Sequence, residues 1–283
     1  MPPVDPVEAA VAAGFFLVAL YFLAERFLLR TASSTPRYGS ESYWESRYRV
    51  WTGVHGYEWY SVRLGTILEA ALELDTHLLA TTTTTAPRIP PGSPPGRTFA
   101  ELANSPARWR ALDVGCGDSD LSLALYAAGW TNVVSIDYSA TAIARASAAH
   151  PEGDYRVMDA TRMAFDDASL DFCIDKGTID GLLHGGPAMA QAVAGEIARV
   201  LRRGGLWLSV CVSDAAKFRA CLGGSDGLWN DDGELELVGS TRRVVPQERG
   251  RGGGGGEGGG GGGEGGEGAS IVVFFHAVRR RDG

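Results

Sequence analysis

Glycines and acidic residues stand together at points of the chain where an apolar run ends. In the segment Ala-Leu-Asp-Val-Gly-Cys-Gly, Gly115 and Gly117 follow a strand-like run directly. Glycine lets the backbone turn sharply and approach a ligand without a Cβ in the way. A second apolar run ends in Asp137, 20 residues beyond Gly117, where a carboxylate can accept hydrogen bonds from both ribose hydroxyls. Together these features predict a nucleoside-binding site.

The residues around this glycine loop discriminate between nucleoside cofactors. Dinucleotide-binding loops favour a third glycine, and here that position is Asp120. Carboxylates at Asp118 and Asp120 would also repel a pyrophosphate. S-adenosylmethionine has no phosphate, and its ammonium and sulfonium groups are cationic. The acidic loop therefore favours S-adenosylmethionine over a nicotinamide dinucleotide.

Two further strand ends carry polar residues. Asp159 ends the run Val-Met-Asp, at a position suited to the adenine amino group, and Lys176 follows the run Cys-Ile-Asp. Among 26 basic residues only Lys176 and Lys217 are lysines, which makes a lysine at a strand end informative. Structural alternatives remain: Asp137 can cap a helix that begins near Ser139, and Asp159 and Lys176 can be ordinary solvated side chains.

Strand and helix patterns alternate from residue 109 onward. Apolar runs predict seven strands, at 109–114, 132–137, 154–158, 170–175, 206–212, 234–239 and 270–278. Helical spacing between them predicts helices at 119–128, 140–149 and 187–202, the last stopped by Gly204 and Gly205. Repeated β-α units predict an α/β fold, a doubly wound, mostly parallel seven-stranded sheet of the Rossmann-like kind.

Three segments differ from this pattern. Residues 1–36 contain an uncharged, mostly apolar run at 9–24 that is followed by arginines, which predicts a membrane anchor with the main domain in the cytoplasm. An interfacial helix, an atypical targeting segment and an extension without a membrane role are the alternatives. Residues 37–283 form the predicted main domain, with flexible insertions in a Thr/Pro tract (81–96) and a Gly tract (249–268).

Composition limits the function classes. The chain has 283 residues, a formal net charge of −8 and no basic block, which argues against a nucleic-acid binder. Its four cysteines include no Cys-x-x-Cys pair and no zinc spacing. Free thiols, a reducing compartment and no metal site are therefore expected.

The order of these motifs resembles that of the seven-strand (class I) S-adenosylmethionine-dependent methyltransferases. More narrowly, the chain is similar to the group that contains elongation factor 1A lysine methyltransferase 4 and methyltransferase-like protein 13. The narrower resemblance is carried by Tyr-Trp-x-x-Arg-Tyr at 43–48, the aromatic pair Trp59-Tyr60 and Asp-Lys-Gly-Thr at 175–178.

This resemblance implies an aromatic flap, residues 38–60, that folds over the cofactor with Trp44, Tyr48 and Trp59; a helical pattern from Val62 to Leu79 follows it. The alternative is an aromatic segment that packs on the core without touching the cofactor. The resemblance also implies cofactor contacts from Gly115, Asp137, Tyr138, Asp159, Ala160 and Lys176.

The reaction that the resemblance implies is methyl transfer to a protein lysine, on a substrate like elongation factor 1A. A small-molecule or lipid-associated methyltransferase and a non-catalytic cofactor-binding protein remain as alternatives. One reason is that the segment after the fifth strand matches the group poorly beyond Phe218 and Arg219. A nicotinamide dehydrogenase is disfavoured by Asp120 and by the lack of a Tyr-x-x-x-Lys pair. No general base is assigned, and Asp175 is a candidate only by its position.

Overall fold

The structure is a computed structural model that describes residues 38–50, 60, 62–84, 98–223, 235–246 and 270–281. Several sequence predictions lie outside these residues: the N-terminal segment 1–36 with its run 9–24, Trp59, the Thr/Pro tract beyond Thr84, and the Gly tract 249–268. Within the described part of the chain, every helix is too short or too polar to cross a membrane.

Seven strands form one mixed sheet, which confirms the predicted fold class. They are β1 (Arg110–Val114), β2 (Asn132–Asp137), β3 (Asp154–Val157), β4 (Leu170–Lys176), β5 (Leu201–Cys211), β6 (Leu235–Pro246) and β7 (Ser270–Arg280). Their order is β3-β2-β1-β4-β5-β7-β6. Neighbours from β3 to β5 are parallel, whereas β7 runs antiparallel to both β5 and β6. The chain leaves the centre in opposite directions from β1 and β4, and a crevice forms beyond the carboxyl ends of such strands.

Eight α-helices flank this sheet within the described residues. They are α1 (Glu41–Val50), α2 (Leu64–Thr84), α3 (Phe99–Asn104), α4 (Leu121–Ala127), α5 (Ala140–Ala149), α6 (Thr178–Leu183), α7 (Pro187–Val200) and α8 (Ala215–Leu222). The sequence patterns do not predict α1, α3, α6 or α8. The helix α2 also continues to Thr84, beyond the predicted end at Leu79, because adding residues to a formed helix costs little even for threonine.

The prediction that Gly204 and Gly205 stop a helix at residue 202 is wrong. The helix α7 ends at Val200, and both glycines belong to β5. Gly204 has a φ of +69°, and a Cβ on Gly205 would lie 2.7 Å from the carbonyl oxygen of Arg202. The register between β4 and β5 shifts in the same region, so these glycines allow an irregular strand start.

Apolar side chains cover both faces of the sheet. One buried cluster packs α2 and α4 against residues such as Phe172 and Phe275, and the other packs α6, α7 and α8 against residues such as Trp207. Every residue of β4 is buried, as expected for a central strand of a parallel sheet. The four cysteines are free, and three of them are buried, as predicted.

Candidate functional site

The glycine loop lies at the centre of the carboxyl edge of the sheet, directly after β1. Gly115 and Gly117 have φ values of +67° and +56°, a region that side chains rarely adopt. A Cβ on Gly115 would lie 2.3 Å from Oγ1 of Thr178, and one on Gly117 would lie 2.5 Å from Oη of Tyr48. Both positions therefore require glycine, because Thr178 at the start of α6 and Tyr48 of α1 pack directly against the loop.

The end of β4 is joined to the end of β1 at this point. The hydroxyl of Thr178 donates to the carbonyl oxygen of Val114, at 2.8 Å. Gly177, with a φ of +81°, makes the turn between Lys176 and α6. The side chain of Lys176 is buried, with 7% of its surface exposed, although it stands at a strand end. This lysine faces the cleft rather than bulk solvent.

Asp137 ends β2 and is held against the loop. Its Oδ2 accepts a hydrogen bond from the backbone N–H of Gly117 at 3.0 Å, and its Oδ1 accepts from the backbone N–H of Ser139 at 2.8 Å. Burial raises the pKa of this carboxyl to about 6, although both N–H donors act in the opposite direction. Asp137 thus lies within the crevice, and the helix cap of α5 is supplied by Ser139, whose Oγ accepts from the N–H of Ala142.

The described part of the aromatic flap forms one wall of the cleft. The rings of Trp44 and Tyr48 stack at 5.9 Å, and Trp44 Nε1 donates to the carbonyl oxygen of Tyr38 at 2.5 Å. The hydroxyl of Tyr138, just beyond β2, donates to the carbonyl oxygen of Ser40 at 3.4 Å. These contacts fold α1 across the carboxyl ends of β1 and β2.

The cleft between these elements is open to solvent, and the empty space among its lining residues, part of it open solvent, amounts to about 620 Å³. Seven of the predicted site residues line it: Trp44, Tyr48, Gly115, Gly117, Asp137, Tyr138 and Lys176. The other lining residues are Tyr38, Asp113, Cys116, Ser119, Leu121, Gly177, Thr178, Gly181 and Leu182.

Two of the predicted residues, Asp159 and Ala160, are not brought to this cleft. Asp159 is exposed, and its Oδ1 accepts from the backbone N–H and the hydroxyl of Thr161, at 2.8 and 2.7 Å. Ala160 is half-buried against the apolar cluster beneath α7. Trp59 lies outside the described residues. The cofactor contacts of all ten residues stay predictions, and for Asp159 and Ala160 they would require a ligand that reaches beyond the cleft lining.

The acidic character of the loop is partly balanced by α5. Asp118 lies 3.6 Å from the guanidinium of Arg145, whereas Asp120 is exposed. The carboxylates that line the cleft are those of Asp113 and Asp137, both buried. Asp118 and Asp120, on which the sequence argument rested, do not line the cleft, and it is the two buried carboxylates that favour a ligand with positive groups over one with a pyrophosphate.

Three acidic residues that the sequence reasoning passed over contribute to the site. Asp113, inside β1, accepts a hydrogen bond from Ser122 Oγ at 2.9 Å and lines the cleft. Asp180 accepts from Tyr60 Oη at 2.5 Å and from the backbone N–H of Val212 at 2.6 Å, so it ties the flap to the end of β5. Glu45 is described below. An acid inside an apolar strand is the one signal that could have identified Asp113.

Asp175, the positional candidate for a base, does not line the cleft. It is fully buried, and its carboxylate accepts hydrogen bonds from Trp207 Nε1 at 2.9 Å and from the backbone N–H of Ile179 at 3.2 Å. Burial raises the pKa of this carboxyl to about 7. Its contacts are those of a structural residue that joins β4, β5 and α6.

Known proteins with similar sequences point to one class. Residues 112–209 match a family described as a methyltransferase domain. The eEF1A lysine and N-terminal methyltransferase of Bos taurus is 29% identical over 198 residues, which cover 67% of this chain and 24% of that protein. The EEF1A lysine methyltransferase 4 of Bos taurus is 36% identical over 123 residues, which cover 39% of this chain and 48% of that protein.

The chain spans about a quarter of the length of the first of these relatives and about half of the second. A solved S-adenosylmethionine-dependent methyltransferase from Methanosarcina mazei aligns with 18% identity and a TM-score of 0.41, covering 61% of this chain and 92% of that one.

The chain contains a seven-strand S-adenosylmethionine-dependent methyltransferase domain. This class is defined by the family match together with the glycine loop, the acidic strand ends and the order of the strands. Within that class the chain resembles the eEF1A lysine methyltransferases, which confirms the resemblance expected from its motifs.

The cofactor of this class, S-adenosylmethionine, fits the residues that are present. Both glycines line the cleft with bare backbone, and the cleft offers a buried carboxylate at the end of β2. Within the described ranges, no group of three or more His, Cys, Asp or Glu residues is placed to hold a metal ion.

Proposed function

We propose that this chain is a protein-lysine methyltransferase that acts on an elongation factor 1A-like substrate. The observation that carries the proposal is the convergence of the glycine loop, Asp137 and the aromatic flap on one cleft, in a chain whose relatives are named for eEF1A lysine methylation. When bound there, S-adenosylmethionine supplies an electrophilic methyl group on a sulfonium.

The residues of the chain have to hold the cofactor and shield the reaction from water. The carboxylate of Asp137 accepts hydrogen bonds from ribose hydroxyls, since it is buried at the strand end beside the loop. The stacked rings of Trp44 and Tyr48 cover the cleft and exclude water from one side. In this proposal their electron-rich faces also favour a cationic group beneath them.

The acceptor lysine must be neutral when it attacks. Burial of its ammonium in the cleft lowers its pKa and favours loss of the proton. Alignment of nucleophile, methyl group and sulfur can supply roughly 7–11 kcal/mol, so a dedicated general base is not required for a large rate enhancement.

The test combines binding and turnover. The full chain is titrated with S-adenosylmethionine by calorimetry and then incubated with purified elongation factor 1A and isotopically labelled cofactor, and the product is mapped by mass spectrometry. A mass shift of one or more methyl groups on a lysine supports the proposal. Saturable cofactor binding with no label on the factor, but label in a small-molecule extract, would move the substrate to the alternative class. Binding without any turnover would indicate a non-catalytic protein.

Membrane attachment through residues 9–24 and a cytoplasmic main domain stay predictions from the sequence. Carbonate extraction of membranes from cells that express the full chain decides the first of these. Release of the chain into the supernatant would count against an anchor.

A further inference from the structure

Glu45 lies on α1, the helix that carries Trp44 and Tyr48, but its carboxylate contacts a different element. Oε2 accepts hydrogen bonds from Ser139 Oγ at 2.6 Å and from the backbone N–H of Thr141 at 3.3 Å. Oε1 accepts from the hydroxyl of Thr141. These three donors belong to the first turn of α5 or to its cap, so this single side chain joins the aromatic flap to the start of α5. A fourth donor, the guanidinium of Arg49 at 3.3 Å from Oε1, lies on α1 itself.

The first turn of α5 is a favourable place for this carboxylate. Backbone N–H groups at a helix N-terminus lack partners within the helix and carry partial positive charge. Hydrogen bonds from Ser139 and Thr141 lower the pKa of Glu45 to about 2. The side chain therefore remains an anion at any pH at which the protein would be assayed.

These contacts form a closed ring with Asp137, the carboxylate proposed to bind the cofactor. The N–H of Ser139 donates to Asp137, and Asp137 accepts from the N–H of Gly117 on its other oxygen. The Cα of Gly117 faces the hydroxyl of Tyr48, which stands three residues after Glu45 on the same helix. Residues at this spacing share a helix face. One face of α1 therefore contacts both neighbours of Asp137, Ser139 through Glu45 and Gly117 through Tyr48.

We propose that Glu45 is a positioning residue for the cofactor: its carboxylate holds α1, and the aromatic wall that α1 carries, over the cleft without lining the cleft itself. The inference rests on the proposed cofactor role of this cleft. If only the closed arrangement binds S-adenosylmethionine tightly, the measured affinity falls in proportion to the closed fraction. A residue that does not touch the cofactor then controls its affinity.

The matched pair of variants for the test is Glu45→Gln and Glu41→Gln. Glu41 is exposed in the first turn of the same helix, so its substitution makes the same chemical change without touching α5. In the full chain, Glu45→Gln is expected to weaken S-adenosylmethionine binding by calorimetry about tenfold, the typical effect of losing a hydrogen bond to a charged group. Glu41→Gln is expected to bind like the wild type.

Three further measurements separate positioning from general stabilisation. Hydrogen exchange of the amides of residues 41–50, without cofactor, is expected to be faster in Glu45→Gln, while exchange in the sheet is unchanged. Thr141→Val removes the hydroxyl that donates to Glu45. Its effect on affinity is expected not to add to that of Glu45→Gln, because both substitutions weaken the same contact between α1 and α5. In turnover, kcat at saturating cofactor is expected to stay near the wild-type value while KM for the cofactor rises.

The outcomes distinguish this inference from the proposed function. If the wild type binds the cofactor and Glu45→Gln binds it equally well, the positioning role is overturned. The role is also overturned if Glu45→Gln accelerates exchange throughout the sheet and lowers the melting temperature broadly. If no variant binds S-adenosylmethionine, the proposed function fails. The exchange rates of α1 then still decide whether Glu45 holds the helix.

Discussion

Substitution of Gly117 by alanine tests whether the glycine loop and the flap are as closely fitted as the structure indicates. The residue has a φ of +56°, and an added Cβ would lie 2.5 Å from Tyr48 Oη, 3.4 Å from Cζ and 3.8 Å from Cε1 of the same ring. The left-handed backbone costs an alanine about 1–2 kcal/mol. Displacement of a buried ring by an extra methyl group costs about 1–3 kcal/mol. Gly117→Ala should therefore reduce the free energy of unfolding by about 2–5 kcal/mol.

The packing cost of Gly117→Ala can be removed separately from its backbone cost. Tyr48→Phe deletes the atom that the new Cβ would strike, and the remaining ring atoms lie at 3.4 Å or more. The double variant should therefore recover the packing cost, about 1–3 kcal/mol, and retain the backbone cost. Affinity for S-adenosylmethionine should follow the same order, since displacing Tyr48 moves one wall of the cleft.

Urea unfolding of the wild type, both single variants and the double variant gives the complete cycle. Calorimetric titration of the same four proteins gives the affinities. Two results would refute the reasoning. The first is a Gly117→Ala variant as stable as the wild type, and the second is a double variant no more stable than Gly117→Ala alone.

The remaining predictions concern two carboxylates and one tract. Asp137→Ala should weaken S-adenosylmethionine binding about tenfold or more, since it removes a charged acceptor, and unchanged affinity in calorimetry would reject the ribose assignment. Burial raises the pKa of Asp175 to about 7, so folding takes up a proton and the free energy of unfolding should fall as pH rises from about 4 to about 7. Asp175→Asn should flatten this pH dependence in urea unfolding measured across that range. If the variant's free energy of unfolding falls as steeply with pH as that of the wild type, Asp175 is not the group responsible. The pairing of β6 with β7 ends at Pro246 and Ser270, so replacing 249–268 by a short turn should leave the melting temperature and cofactor affinity near wild type. A large loss of melting temperature would show that the tract contributes to the fold.

Local patterns in the sequence were sufficient for the sheet and for the centre of the site. Apolar runs that end in glycine or an acid indicate the ends of parallel strands. Because parallel strands point in the same direction, their carboxyl ends lie at one edge of the sheet. The positions of Gly115, Gly117, Asp137 and Lys176 in the cleft follow from that rule alone. The glycines of β5 were misinterpreted because a glycine pair signals a helix stop and a strand irregularity equally well.

The closure of the site depends on contacts between residues far apart in the chain. Glu45 and Thr141 are separated by 96 residues, and Tyr60 and Asp180 by 120. An acid in a polar helix resembles any solvated acid until the packing of α1 brings it to a particular helix N-terminus. The sequence by itself thus determined the class of fold and the strand-end residues, because these follow from local periodicity, and it indicated the cofactor through the motifs around the glycine loop. Only the tertiary structure decided which acids hold the flap and which residues remain outside the cleft, because hydrogen bonds between distant segments exist only after the chain has folded.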